Sequence, residues 1–399
     1  VNSLWNVAQA SEFGGDPVSL RVYTSRLLGR DPSLVLHGGG NTSVKTSVVN
    51  LFGESEEILY IKGSGGDLAT ITEKGFAPVR LDVLTKMARL KQLTDTEMVR
   101  MQRAAMIDSY APNPSVEAIL HAVIPFRYVD HTHADAVVAT SNTPAGEDLI
   151  REIYGPRVLV IPYVMPGFLL ARAVYEQTRN IDWSLYEGIV LLGHGIFTFA
   201  DDARESYERM ICLVKLAEEY IEAHAISTAS TPSSQQPFDS KKLAALRLAV
   251  SKTKGAPMIA RLDDGPDALS YSNLQNLPAI AGQGPLTPDH IIRTKRVPVI
   301  VGGDVTLSVE TYASEYKAYF DRHSPGGLEM LDAAPRWAVW PGQGTVAFGR
   351  STPDSNIVSD IVRHTLRAQQ WSQALGGWKA LPEKDLFEME YWELEQAKL

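Results

Sequence analysis

Residues 227–237 read Ser-Thr-Ala-Ser-Thr-Pro-Ser-Ser-Gln-Gln-Pro, a run with no apolar period. Such a run cannot bury a hydrophobic face, so it reads as a linker that divides the chain. On both sides the sequence is apolar enough to build a core, the 399 residues being 44% hydrophobic. The expected organisation is therefore two domains, residues 1–226 and 240–399, joined by a linker at 227–239.

Before the linker, short apolar runs at 58–62, 128–132, 157–162 and 189–192 are bounded by turn residues and predict strands. Helical patterns lie between them at 80–92 and 115–123, and a long one at 203–225 follows Asp201-Asp202, with Glu205 placed for capping. After the linker the spacing predicts helices at 241–252, 309–321 and 355–374 and a buried strand at 298–301. Segments 336–340 and 345–349 flank Pro341-Gly-Gln-Gly344 and predict a hairpin. The charged and aromatic segment 383–399 predicts one more helix. Both halves are α/β in class, and no repeat of 20–50 residues is present.

Composition excludes several functions. A single cysteine, Cys212, rules out an intrachain disulfide framework and a cysteine-rich metal site. With no signal peptide recognisable, a reducing, cytoplasmic setting is expected. No apolar run reaches the roughly 18–20 residues needed to span a bilayer, so no membrane partner is expected. The net charge of −9 argues against nucleic acid as a partner. It leaves room for a phosphorylated small molecule, which one local basic patch can hold. Residue 1 is Val, so the chain is read as processed or as a piece of something longer.

The strongest local signal is Asp130-His-Thr-His133, set between apolar stretches. On a strand, residues i and i+2 share a face, so His131 and His133 form a ready pair of metal ligands. His194 stands in Gly193-His-Gly195 at the end of a buried run, where glycines let the backbone approach a ligand. Glu117 and His121 lie four apart on a predicted helix and share its face. The carboxylate can act as metal ligand, as general base, or as both in turn. His121 and Asp130 read as supports behind the ligands. The competing reading is bland: incidental strand histidines and an ordinary exposed helix pair. Three neutral imidazoles would leave an open position on a tetrahedral ion, the pattern of a catalytic site.

Two glycine-rich turns precede the histidines, His37-Gly-Gly-Gly-Asn-Thr-Ser-Val-Lys45 and Lys62-Gly-Ser-Gly-Gly-Asp67. Such turns can aim several backbone N–H groups at one anion. Asn41, Thr42, Ser43, Ser64, Gly65 and Ser115 are the candidate donors, and Lys45 and Lys62 the candidate charges. Neither turn matches the P-loop or a dinucleotide fingerprint. In the second half, His290, Arg293 and Lys295 form a polar cluster after Pro288. They read either as ordinary surface charges or as a loop closing over a substrate phosphate.

Taken in order, these motifs resemble the class II aldolase/adducin family. Gly40-Asn-Thr-Ser43, Gly63-Ser-Gly65, Ser115-Val-Glu117 with His121, His131-Thr-His133 and His194-Gly195 carry the resemblance. One departure stands at Val116, where family members often have a second hydroxyl residue before the glutamate. The resemblance implies an αβα sandwich with a central β-sheet, followed by a second, smaller α/β domain. It implies Zn2+, or another divalent metal, on His131, His133 and His194, with Glu117 as acid/base and as fourth ligand without substrate. It places phosphate at Asn41, Ser43, Ser64 and Ser115.

Thr287-Pro-Asp-His-Ile-Ile-Arg-Thr-Lys295 and the last ten residues look like bifunctional rhamnulose-1-phosphate aldolase/alcohol dehydrogenases. In those a short-chain dehydrogenase domain follows, and this chain has no Thr-Gly-x3-Gly-x-Gly segment. The expectation is an aldolase portion, truncated or naturally separate. The implied reaction cleaves a ketose 1-phosphate, rhamnulose 1-phosphate in the first instance, to dihydroxyacetone phosphate and lactaldehyde. Homo-oligomers, cyclic tetramers with sites between subunits, are implied as well. The alternatives are an epimerase or dehydratase on the same fold, or an adducin-like binding module without catalysis.

Overall fold

The structure, a computed structural model, describes residues 1–224 and 238–398. The linker expected at 227–239 lies outside the described residues as far as residue 237. The chain divides into two compact units, one built chiefly from Val1–Ser141 and Ala145–Ala223, the other from His224–Ala397 with Asn142–Pro144.

The first unit is organised on a seven-stranded sheet. Its strands are β1 (Asn41–Val49), β2 (Ser55–Lys62), β3 (Phe76–Arg80), β4 (Tyr128–Thr132), β5 (Val158–Ile161), β6 (Gly188–Leu191) and β7 (Gly195–Ala200). The spatial order is β3-β2-β1-β4-β7-β6-β5, antiparallel except for the β5–β6 pair. β4 is central and buried along its whole length, with sheet neighbours on both edges and helices on both faces. The first glycine-rich segment is only partly a turn. From Asn41 onward it is strand β1, because its alternating residues pair with β2 on one side and β4 on the other.

That pairing sorts side chains by face. Asn41 sits opposite His131, and His131 opposite Phe197, so these three share one face. Thr42, Asp130 and Thr198, one residue along, occupy the other. Helices Pro17–Gly29 and Ala203–His224 cover that second face. The first starts at an Asp16 cap, whose side chain accepts from the Ser19 N–H, with Pro17 at the first helical position. Arg21, fully buried on this helix, donates to Asp130 at 2.5 Å and lies 5.7 Å from the Tyr128 ring centroid. Ser206, from the other helix, donates to the second Asp130 oxygen at 2.5 Å. Thr42 bonds Ser25 at 2.7 Å. The first face is covered by helices that include Leu81–Ala88, Ala118–Val123 and Phe168–Thr178, which pack on one another. The result is an αβα sandwich.

The second unit carries a four-stranded sheet of β8 (Ile259–Asp263), β9 (Val299–Ile300), β10 (Trp337–Trp340) and β11 (Gly344–Gly349), in the order β8-β11-β10-β9. β10 and β11 form the expected hairpin. The segment from 383 is not one helix. It breaks into Glu383–Glu390 and Glu393–Gln396, where the backbone turns extended at Trp392 (φ −74°, ψ 120°), while the Tyr391 ring stacks on Phe387 at 4.5 Å.

Burying one charge without its partner costs about 3–5 kcal/mol. Asp130→Ala is therefore expected to destabilise the first unit by that amount in denaturant titration. The Arg21→Met/Asp130→Leu pair is expected to recover most of the loss, and a loss under about 1 kcal/mol for Asp130→Ala would show the pair to be dispensable.

Candidate metal centre

Three elements of the first unit bring the histidines together. His131 projects from the end of β4, His133 follows one residue beyond it, and His194 sits in the turn between β6 and β7. Their ring centroids lie 4.9–5.2 Å apart. One ring nitrogen from each falls within 4.8 Å of the other two. The His131 and His133 Nε2 atoms stand 3.1 Å apart. Two nitrogens bound to one tetrahedral ion are about 3.3 Å apart, so the spacing suits a shared cation.

The turn that delivers His194 depends on two glycines. Gly193 has φ 70°, in the left-handed region. Gly195 lies so close to β4 that a Cβ there would stand 2.4 Å from the Thr132 carbonyl oxygen, 3.0 Å from the His131 ring and 3.1 Å from the His133 ring. Only a residue without a side chain fits. On the other flank, a Cβ on Gly40 (φ 57°) would meet the His131 carbonyl at 2.6 Å.

His131 is oriented from behind. Its Nδ1 lies 3.0 Å from the Ile196 carbonyl, which can only accept, so Nδ1 carries the proton and Nε2 faces the cluster with its lone pair. Its ring stacks on Phe197 with centroids 4.0 Å apart.

Glu117 closes the cluster. Its Oε2 is 3.5 Å from His131 Nε2 and its Oε1 is 3.6 Å from His194 Nε2. Burial pushes its carboxyl up, but His131, His194 and a hydrogen bond from Asn41 outweigh that and bring it down to about 2. Glu117 is 5% exposed, and its Oε1 has no hydrogen-bond partner among the described residues, nor has His194 Nδ1. A buried carboxylate oxygen left unpaired beside three imidazoles fits a cation, whose charge would offset the burial. His131, His133, His194 and Glu117 are thus the residues that fit a divalent ion.

The other candidates divide. Asn41 and Ser115 adjoin Glu117: Asn41 Nδ2 donates to Glu117 Oε2 at 2.6 Å and to Ser115 Oγ at 3.1 Å. Glu117 is the cap of helix Ala118–Val123 rather than a member of it. His121, buried beneath, bonds Asn41 and Ser43 and is held neutral by burial. Ser64 and Gly65 lie on the exposed second turn, which abuts Gly38 of the first and pairs with the segment leading to Ser115. The amides of Gly63, Ser64 and Gly66 are already bonded to carbonyls. The Ser64 hydroxyl and Gly65 amide are the donors of that turn without a partner among the described residues.

Five assignments are corrected. Thr42 and Asp130 point to the opposite face of the sheet, toward Ser25 and Arg21, because strand neighbours alternate. Lys45 is four residues down β1 from Asn41, and its ammonium donates to the Ile124 and Phe126 carbonyls at 2.5 and 2.7 Å. Lys62 spends its charge on the first turn, donating to the Gly38 and Gly40 carbonyls at 2.7 Å each, so it builds the turn rather than presenting charge. In the second unit, Lys295 is buried, donating to Tyr316 at 2.7 Å and Glu390 at 3.0 Å. His290 is also buried there, and Arg293 is half-buried. The reading of residues missed Phe197 and the Ile196 carbonyl. The alternating run Ile196-Phe-Thr-Phe199 after His194 was the available signal.

These features define an α/β protein with a buried cluster able to hold a divalent metal. The family model described as class II aldolase and adducin N-terminal domain matches residues 20–221, and one described as aldolase class II, second domain, matches 238–399. The chain belongs to the class II aldolase and adducin family, whose aldolases depend on a divalent metal. A Bacillus subtilis protein named uncharacterized oxidoreductase YuxG is 33% identical over 421 residues, covering 100% of this chain and 60% of its own length. This chain therefore spans less than two thirds of that relative. The structure of the N-terminal class II aldolase domain of a conserved Thermoplasma acidophilum protein is 40% identical, covers 55% of this chain and 99% of its own, and has a TM-score of 0.50. An L-fuculose-1-phosphate aldolase from Thermus thermophilus is 22% identical over 53% of this chain and 98% of its own, with a TM-score of 0.33. That last likeness bears on neither substrate nor mechanism.

Gly195→Ala forces a Cβ against a backbone carbonyl that cannot swing aside. The expected outcome is a stability loss of about 1–3 kcal/mol in denaturant titration. Divalent-metal affinity, measured calorimetrically, is expected to fall at least about tenfold, because both adjacent imidazoles must move. Unchanged affinity would show that the turn does not set the cluster.

Proposed function

We propose that this chain is a metal-dependent aldolase that cleaves a ketose 1-phosphate, with rhamnulose 1-phosphate the first substrate to test. The single observation that carries the reading is the buried convergence of three imidazoles and one unpaired carboxylate oxygen in a chain of this family. Zinc suits three imidazole nitrogens with one carboxylate oxygen, and when bound it supplies Lewis-acid polarisation of a substrate carbonyl.

The remaining work falls to the protein. In the synthesis direction the ionised Glu117, anchored through Oε2 and without a hydrogen-bond partner at Oε1, is placed to take the proton from the ketose-phosphate carbon; that carbon's electron pair forms the carbon–carbon bond to the aldehyde, whose oxygen takes a proton from solvent water. In cleavage the same steps run backwards: the aldehyde-side hydroxyl gives its proton to solvent water, the carbon–carbon bond breaks, and Glu117 passes a proton taken up from solvent to the ketose-phosphate carbon. Ser64, Gly65 and Ser115 hold the phosphate on the side of the two glycine turns. Lys62 contributes by keeping the first turn in shape. The products are dihydroxyacetone phosphate and an aldehyde, lactaldehyde for rhamnulose 1-phosphate. The second unit and a reductase acting on the aldehyde are natural partners for this chemistry, and a homo-oligomer is part of the same proposal.

The test uses purified protein with a panel of ketose 1-phosphates, trapping dihydroxyacetone phosphate. His131→Ala or His194→Ala is expected to lose bound metal and turnover together. Glu117→Gln is expected to keep the metal while proton exchange at the ketose-phosphate carbon falls about 10²–10⁴-fold. Turnover by a metal-free His131→Ala protein would overturn the mechanism. Formation of an epimer or a dehydrated product in place of dihydroxyacetone phosphate would overturn the reaction.

A further inference from the structure

We propose that Ser43, His121 and Asn41 form a one-way hydrogen-bond relay that positions Glu117, holding its Oε2 and leaving Oε1 to face the histidine cluster. The inference rests on the reading that Glu117 serves the metal site, and it makes His121 and Asn41 positioning residues rather than ligands.

The direction of each bond is forced by what its partner can do. Asn41 Nδ2 lies 2.6 Å from an ionised carboxylate oxygen of Glu117, which only accepts, so the amide group must face it. The same nitrogen's second hydrogen reaches Ser115 Oγ at 3.1 Å. The Asn41 carbonyl oxygen is then turned to His121 Nε2. A carbonyl only accepts, so His121 carries its proton on Nε2. Its Nδ1 is left with a lone pair, and the Ser43 hydroxyl, 2.8 Å away, donates to it. The chain of donors runs Ser43, His121, Asn41, Glu117, and reversing any one link would set two acceptors or two donors face to face.

Nothing in the relay is in open solvent. Ser43 and His121 are 0% exposed, Asn41 is 6% and Glu117 5%. Neither nitrogen of His121 is left for a metal. Its tautomer is also the opposite of that of His131, whose proton sits on Nδ1 against the Ile196 carbonyl. The two rings flank Phe197, with centroids 5.4 and 4.0 Å from it. One site therefore holds two buried imidazoles with opposite proton positions, one facing the cluster and one spent behind the carboxylate. Asn41, which the family resemblance casts as a phosphate donor, has both amide hydrogens committed inside the protein.

The experiment is a long-range ¹H–¹⁵N correlation spectrum of the full chain labelled on histidine, metal-free, with His121 and His131 assigned by single substitution to Phe. The expected result is an Nε2–H tautomer for His121 and an Nδ1–H tautomer for His131. In parallel, Asn41→Leu is expected to weaken zinc binding about 10–100-fold by calorimetry, and to release His121 from a single tautomer. An Nδ1–H His121, or Asn41→Leu binding zinc as the unsubstituted protein does, overturns the relay. If Asn41→Leu does not fold, the tautomer of the unsubstituted protein decides alone. The relay and the proposed activity fail separately. The expected tautomers without ketose-phosphate cleavage overturn the activity, and cleavage with an Nδ1–H His121 overturns the relay.

Discussion

The close approach of Gly195 to the Thr132 carbonyl is the constraint on which the rest of the site depends. It lets β7 lie against β4 right up to the end of the strand, where His131 and His133 emerge. The same contact puts His194, one residue earlier, beside them. A methyl group at this point would clash with the Thr132 carbonyl and with both adjacent imidazoles, and would push the two strands apart where the ligands emerge. Dispersion and hydrogen bonding along β4 and β7 thus hold three imidazoles within reach of each other, although their charge-free lone pairs gain nothing from meeting without a cation.

Strand alternation then decides which neighbours matter. β1 runs antiparallel to β4, and its Asn41 and Ser43 fall on the metal face while Thr42 falls on the other. The two faces use polar groups differently. On one, Arg21, Asp130, Ser206 and Ser25 lock helices to the sheet through buried hydrogen bonds. On the other, Asn41, His121 and Ser115 converge on a single carboxylate. A buried ion pair beneath the site offers little net stability but breaks badly if halved, which suits a scaffold that must hold the cluster in one arrangement.

Much of this was legible before the structure, and the failures share one cause. Strands at 128–132 and 189–192 and the long helix from 203 follow from apolar runs with clear boundaries, and β4, β6 and the helix Ala203–His224 stand there. His131, His133 and His194 were legible from their strand and glycine context, and Glu117, expected within a helix, converges on them as its cap. Direction within a segment was harder. Reading 37–45 as one turn hid the alternation that sends Thr42 to the far face and Lys45 down the strand. Lys62 and Lys295 looked like free charges because sequence does not show which carbonyls or carboxylates a long side chain will meet.

The central claim is that three imidazoles and Glu117 hold one divalent ion. X-ray absorption at the zinc edge of the loaded protein tests it most directly. The account predicts a four- or five-coordinate first shell with three imidazole nitrogens at about 2.0–2.1 Å and one or more oxygens, without sulfur. A shell with fewer than three imidazoles would contradict it.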